Sequence, residues 1–284
     1  MSRNQDRLGG GSPQNSSPPN QLAQPQAESF SFVVPTEFVE LPSKGLYYPE
    51  GHPLYNEETI EIKHMTAKEE DMLTSRALLK KGIALERLLA SIIVDKRINP
   101  NSLLVGDRNA VLIAARISGY GSEYATKISC PQCAATVEHT FYLHELQTKE
   151  TESASTLGVT SNGDGTFDTV LPKLGAQVTF RLLSGADEKS FMAQIESARK
   201  RNRAENTVTT QLSHMIIAVN GDDSSGLITE LIQNMPSMDS RHLRLAYRLS
   251  TPDIDMSQHF SCNECGYEQE MEVPLTADFF WPDR

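Results

Sequence analysis

The residues able to do chemistry are four cysteines, the chain's full complement, arranged as Cys130-Pro131-Gln132-Cys133 and Cys262-Asn263-Glu264-Cys265. A two-residue gap lets both thiolates of one tight turn point at a single metal ion. Two such knuckles facing each other make a zinc ribbon, so the spacing predicts one zinc held by Cys130, Cys133, Cys262 and Cys265. Four sulfurs leave no open coordination position, which makes such a metal structural rather than catalytic. The competing readings are four buried thiols or two redox pairs. Redox chemistry is disfavoured because neither pair opens a helix after a buried strand, the setting that lowers a thiol pKa. His139 and His259 lie near the pairs and could substitute as ligands. They do not fall at corresponding places, so the four cysteines are the preferred set.

Strand-like sequence flanks each knuckle: Thr126 to Ile128 and Val137 to Leu143 around the first, His259-Phe260 and Glu270 to Leu275 around the second. The knuckles also sit at a constant offset of 132 positions within an internal repeat. The same offset relates Asp107 to Asp239, Arg116 to Arg248, Ser118 to Ser250 and Glu138 to Glu270. Earlier in each half the offset is 118, which lays Ile60 to Glu70 over Val178 to Glu188, with Lys63 on Arg181 and Thr66 on Ser184. The expected fold class is therefore α+β: a duplicated unit of short strands, helices and a CxxC knuckle. The boundaries expected are a polar tail over 1–29, a first repeat over 30–146, a linker over 147–165 and a second repeat over 166–284.

Within these bounds the tail, rich in Gly, Ser, Pro, Asn and Gln, cannot bury enough apolar surface to offset its ordering entropy. Phe30 to Val34 and Thr59 to Met65 read as strands. Thr66-Ala67-Lys68-Glu69 is a capping box for a helix over 67–79. A second helix is expected over 84–94 with Leu85, Leu88, Leu89, Ile92 and Ile93 as its apolar stripe. Asp107 is read as the cap of a third, ended by Gly119-Tyr120-Gly121. Asn162-Gly163-Asp164-Gly165 reads as a hairpin turn, since a calcium loop needs further ligand positions around it. In the second half, helices are expected from Ser184, around Leu212 to Val219, over Leu227 to Ile232 after Asp222 or Ser224, and from Asp239 to Leu249. Phe279-Phe280-Trp281 can be core or a docking patch.

A net charge of −11 argues against a general nucleic-acid binder, whose phosphate contacts need clustered Lys and Arg. The one basic run, Arg199 to Arg203, is flanked by Glu196 and Glu205 and reads as a solvated helix face. The N-terminus lacks the apolar core of a signal peptide. The longest apolar stretches fall far short of the roughly 20 residues of a membrane helix. Cytosolic residence follows as an expectation, and there paired CxxC motifs are more often metal sites than disulfides. No GxSxG, P-loop, HExxH or dinucleotide fingerprint is present. Glu69-Glu70-Asp71 reads as a first helical turn complementing the dipole. Arg116 and Arg248 read as helix-end arginines that satisfy carbonyls. No small-molecule substrate and no enzymatic activity are expected.

Val34 to Pro49, read with Ile60 to Leu73, goes further. This stretch resembles the T-even-type phage baseplate proteins, in particular the baseplate hub subunit or hub assembly proteins of contractile-tailed phages, over about residues 33 to 120. The resemblance implies a non-enzymatic role, structural or chaperone-like, in building the baseplate hub. It implies other hub or tail proteins as partners, the host cytoplasm during assembly as location, and possession of a place in the virion tail as an open alternative. It carries over no catalytic residue. A zinc-ribbon adaptor in transcription or replication remains the alternative.

Overall fold

A computed structural model describes residues 33–149, 152–201, 206–274 and 277–280. The chain divides at Val34, and the unit Val34–Arg284 holds every element below. The expected tail and the residues Phe30 to Phe32, Asn202 to Glu205, Leu275 and Trp281 lie outside the described residues.

The chain opens with an antiparallel pair, β1 (Thr36–Glu40) and β2 (Thr59–Lys63), with Val39 opposite Ile60. Helices α1 (Ala67–Thr74), α2 (Arg76–Lys80), α3 (Ala84–Ile92) and α4 (Val105–Tyr120) follow, then the hairpin β3 (Glu123–Ser129) and β4 (Thr136–Tyr142) that carries the first knuckle. Residues 147–165, expected as a linker, hold β5 (Gln147–Thr148) and β6 (Thr160–Ser161). Next come β7 (Thr166–Val170), β8 (Gln177–Arg181), α5 (Gly185–Lys200), α6 (Thr207–Met215), β9 (Ile216–Val219), α7 (Ser225–Asn234) and α8 (Ser237–Ser250). The described elements close with β10 (Ile254–Asp255), paired to β5, and the second knuckle's hairpin, β11 (Ser257–Ser261) and β12 (Glu268–Glu272). Strands β6 to β9 form one sheet in chain order. The fold is mixed helix and sheet, as the patterning predicts.

Several expected helices end differently. The helix over 67–79 is two, because Ser75 turns to ψ 107° and the Thr74 hydroxyl donates back to the Glu70 carbonyl. The helix expected around Leu212 to Val219 stops at Met215, and the β-branched run that follows pairs with β8 as β9. Asp107 is not a cap: Leu104 occupies that position, and Asp107 lies buried in the first turn of α4. The Asn162 to Gly165 turn does close a hairpin, with the Asn162 amide donating to the Thr166 carbonyl.

One apolar core draws on both ends of the chain, including Ile62, Leu88, Val111, Phe141, Phe180, Leu243 and Phe260. On α3 the expected stripe is buried at Leu88, Leu89, Ile92 and Ile93, with Leu85 half-buried. Phe279 and Phe280 are buried too, which makes them core.

Two sets of residues at offsets 118 and 132 make matching contacts. The Thr66 amide and hydroxyl donate to Glu69, which also pairs with Lys63 at 2.8 Å. The Ser184 amide and hydroxyl donate to Asp187, which pairs with Arg181 through both guanidinium nitrogens at 2.8 and 2.6 Å. Burial alone would raise the Glu69 carboxyl, but the Lys63 ammonium and the Ser91 and Thr66 donors hold it down at about 2. At Asp187 burial likewise acts upward, and Arg181 and Ser184 outweigh it to the same value, about 2.

Asp107 and Asp239 are both fully buried at the third residue of their helices, α4 and α8. Asp107 accepts from the Ser43 amide and hydroxyl and from the Tyr48 hydroxyl; Asp239 accepts from the Lys173 and Leu174 amides. The two turns captured this way are Leu41-Pro42-Ser43-Lys44-Gly45 and Leu171-Pro172-Lys173-Leu174-Gly175. Each ends in a glycine at positive φ, 70° and 66°. This correspondence was readable in the sequence as two Leu-Pro-x-x-Gly strings.

Arg116 and Arg248 diverge. Arg116 is fully buried and donates to the carbonyls of Gly121, Glu123 and Phe279, at 2.6, 3.0 and 2.6 Å. It thus satisfies the Gly121 carbonyl at the end of α4, as expected of a helix-end arginine, and fixes that end to β3 and to residue 279. Arg248 is exposed.

Candidate metal centre

Each knuckle is a turn between paired strands. The Cys130 amide donates to the Ala135 carbonyl and the Ala134 amide to the Cys130 carbonyl, at 2.8 and 2.9 Å. In the second knuckle Cys262 and Tyr267, and Gly266 and Cys262, repeat both bonds at 2.8 Å. The fifth residue of each turn takes a left-handed backbone, Ala134 at φ 58° and Gly266 at φ 70°. Glycine adopts that conformation freely, whereas alanine does so at a cost of about 1 kcal/mol.

The hairpins meet through side chains. Phe141 and Phe260 are fully buried, and the His139 ring stands edge-on to both, at 4.7 and 5.2 Å. The Gln258 side chain works as a strand's backbone would: its oxygen accepts from the Tyr142 amide at 2.9 Å and its nitrogen donates to the Tyr142 carbonyl at 2.6 Å. That clamp joins β11 to β4 although no backbone ladder does.

This packing brings the four sulfurs within 4.8 Å of one another. The shortest approaches cross between knuckles: Cys130 to Cys265 at 3.7 Å and Cys133 to Cys262 at 3.9 Å. Four thiolates each about 2.3 Å from one tetrahedral zinc lie about 3.8 Å apart, whereas a disulfide needs about 2.05 Å. The first cysteine of each knuckle is buried and the second exposed, so each buried sulfur faces an exposed one. Neither His139 nor His259 joins the cluster, and among the described residues it is the one such group of metal-binding side chains. His259 instead faces Glu270 across the hairpin at 3.9 Å.

The electrostatics ask for a cation. Burial pushes the Cys130 thiol up, but the Cys133 and Gln132 amides and the neighbouring thiols outweigh it and bring the group down to about 7. At Cys265 the Tyr267 amide acts downward, yet burial and the three other sulfurs leave it pushed up to about 12. The Cys130 thiol is thus held down while those of Cys133 and Cys265 are pushed up. A divalent ion at the centre removes that conflict by supplying positive charge to all four.

No match was found among curated proteins or among solved structures. No helix among the described residues is long and apolar enough to cross a membrane. One family model does match, described as T4 bacteriophage base plate protein, over residues 35–163. That span reaches past the resembling stretch of 33 to 120 and takes in the whole first knuckle. The match covers residues 35–163, somewhat less than half of the chain, and supports a T4-type phage baseplate protein.

Proposed function

We propose that this protein is a structural or assembly component of the baseplate hub of a contractile tail, acts by binding other hub or tail proteins, and carries one structural zinc. The observation that carries the assignment is the family match over residues 35–163. It supports tail proteins as partners and the virion tail as a location, with the host cytoplasm as the place of assembly. A structural role rather than catalysis follows from the same match and from the closed coordination that four thiolates would give a metal.

The zinc assignment rests on cross-knuckle sulfur distances of 3.7 and 3.9 Å, which suit tetrahedral coordination. Cys130, Cys133, Cys262 and Cys265 would hold the ion, which contributes folding free energy by joining segments more than a hundred residues apart. The internal duplication is supported by the paired motifs: Lys63–Glu69 against Arg181–Asp187, Asp107 against Asp239, and two knuckles with the same backbone bonds. On this reading each half is a hairpin, a helical middle and a second hairpin with a CxxC turn, and the zinc joins the halves.

The role is tested by co-expressing the chain with the hub proteins of its phage and sizing the products. A co-eluting complex, with hubs that fail to assemble when the chain is omitted, is the expected result. Hubs that assemble normally without it would overturn the role. Recovery on nucleic acid at low salt instead would favour the transcription or replication adaptor.

A further inference from the structure

The chain is strongly acidic, and several of its described cations are engaged by carboxylates: Lys63 by Glu69, Arg97 by Asp95, Arg108 by Glu188, Arg181 by Asp187 and Lys189 by Glu86. Among the described cations outside such pairs, one set shares a helix face. Arg241, Arg244 and Arg248 follow one another at helical spacing along the exposed side of α8, while Leu243 and Ala246 on the other side are buried. Together with Lys149 they line an open cleft of about 650 Å³. Among the described residues none of these four has a carboxylate within 4.0 Å. Gln211, Tyr247, Thr251 and Asp253 complete the polar lining. Asp253 sets one carboxylate against four cations: it accepts from Asn109 at 3.2 Å and from the Ile254 amide at 2.8 Å, and burial raises its pKa while Lys149 acts to lower it.

Three guanidinium groups in a row present planar forks that suit carboxylates, each able to take one through two parallel hydrogen bonds. From residue 241 to residue 248 the helix rises about 10 Å, roughly the length of three residues of extended peptide. The patch is too short for the cation track that a nucleic-acid backbone requires, and the −11 net charge repels a long polyanion before it arrives. A short acidic tract meets the same local field with far less repulsion.

We propose that the Arg241–Arg244–Arg248 face of α8, with Lys149, is a docking site for a short acidic segment of a partner protein, gripped by its carboxylates. The site stands apart from the hub assignment, since it is defined by charge and spacing and tested without hub proteins.

The test is fluorescence anisotropy on the full chain with a labelled peptide that alternates Glu and Ser, against a Gln and Ser counterpart and a labelled oligothymidylate. Saturable binding of the Glu peptide alone is expected at about 50 mM salt, weakening several-fold near physiological ionic strength. The triple variant R241A/R244A/R248A should lose at least tenfold in affinity, while R76A, at an exposed arginine elsewhere, should not change it. An unchanged melting temperature in the triple variant separates loss of the site from loss of the fold. Equal binding of the Glu and Gln peptides, binding that survives the triple substitution, no binding at all, or a preference for the oligothymidylate would each overturn the proposal.

Discussion

At the scale of single residues, buried charges hold the chain's corners. Arg116 has no carboxylate partner among the described residues; three carbonyls and the rings of Tyr120, Tyr124 and Phe279 within 6.0 Å surround its guanidinium. Arg116→Met keeps most of the volume but leaves those carbonyls without donors. It should cost about 2–4 kcal/mol in denaturant unfolding, and Arg116→Lys should recover only part, because an ammonium cannot span the fork. Glu69 and Asp187 give a pH signature. Both are held at about 2 when folded, below the ordinary carboxylate range of about 4. Depressed carboxylates stabilise the fold fully above their unfolded pKa, and that stabilisation is lost as pH falls from about 4 towards 2. Glu69→Gln should flatten the acid limb of a stability-against-pH curve, and an unaltered limb would show that Glu69 is not held this way.

At the scale of elements, the tightest glycine contact is where α4 meets the segment leading into β10. A Cβ on Gly106 would run into the Pro252 carbonyl and crowd the Asp253 backbone, and backbone cannot step aside as a flexible side chain can. Gly106→Ala should therefore cost at least about 2 kcal/mol by thermal unfolding. Gly226 in α7 meets nothing within 4 Å, so Gly226→Ala should be neutral or stabilise by up to about 1 kcal/mol. Elements of this chain were legible where the signal was local. The capping box at Thr66, the helix start at Ser184, the Asn162 to Gly165 turn and the apolar stripe of α3 all appear where their spacing puts them. What failed depended on distant partners. Ile216 to Val219 continues a helical pattern until β8 offers it an edge, and Asp107 resembles a cap until Ser43 and Tyr48 arrive to occupy its oxygens.

At the scale of the whole molecule, two turns far apart in the chain hold four sulfurs at the spacing of one tetrahedral ion. The cysteine identities and CxxC gaps were plain in the sequence. That the knuckles face each other was read there too, but not which sulfurs lie closest, Cys130 to Cys265 and Cys133 to Cys262, because that register is set by Phe141, Phe260 and the Gln258 clamp between hairpins. If one zinc joins the two halves, its removal should loosen both at once: a chelator, or Cys130→Ser, should lower the melting temperature of the entire chain in a single transition. The most direct measurement is native mass spectrometry of the full chain purified under reducing conditions without added metal. The account predicts a mass raised by one zinc ion per chain and lost on Cys262→Ser. A metal-free mass, or one short of four hydrogens as two disulfides would make it, would contradict it.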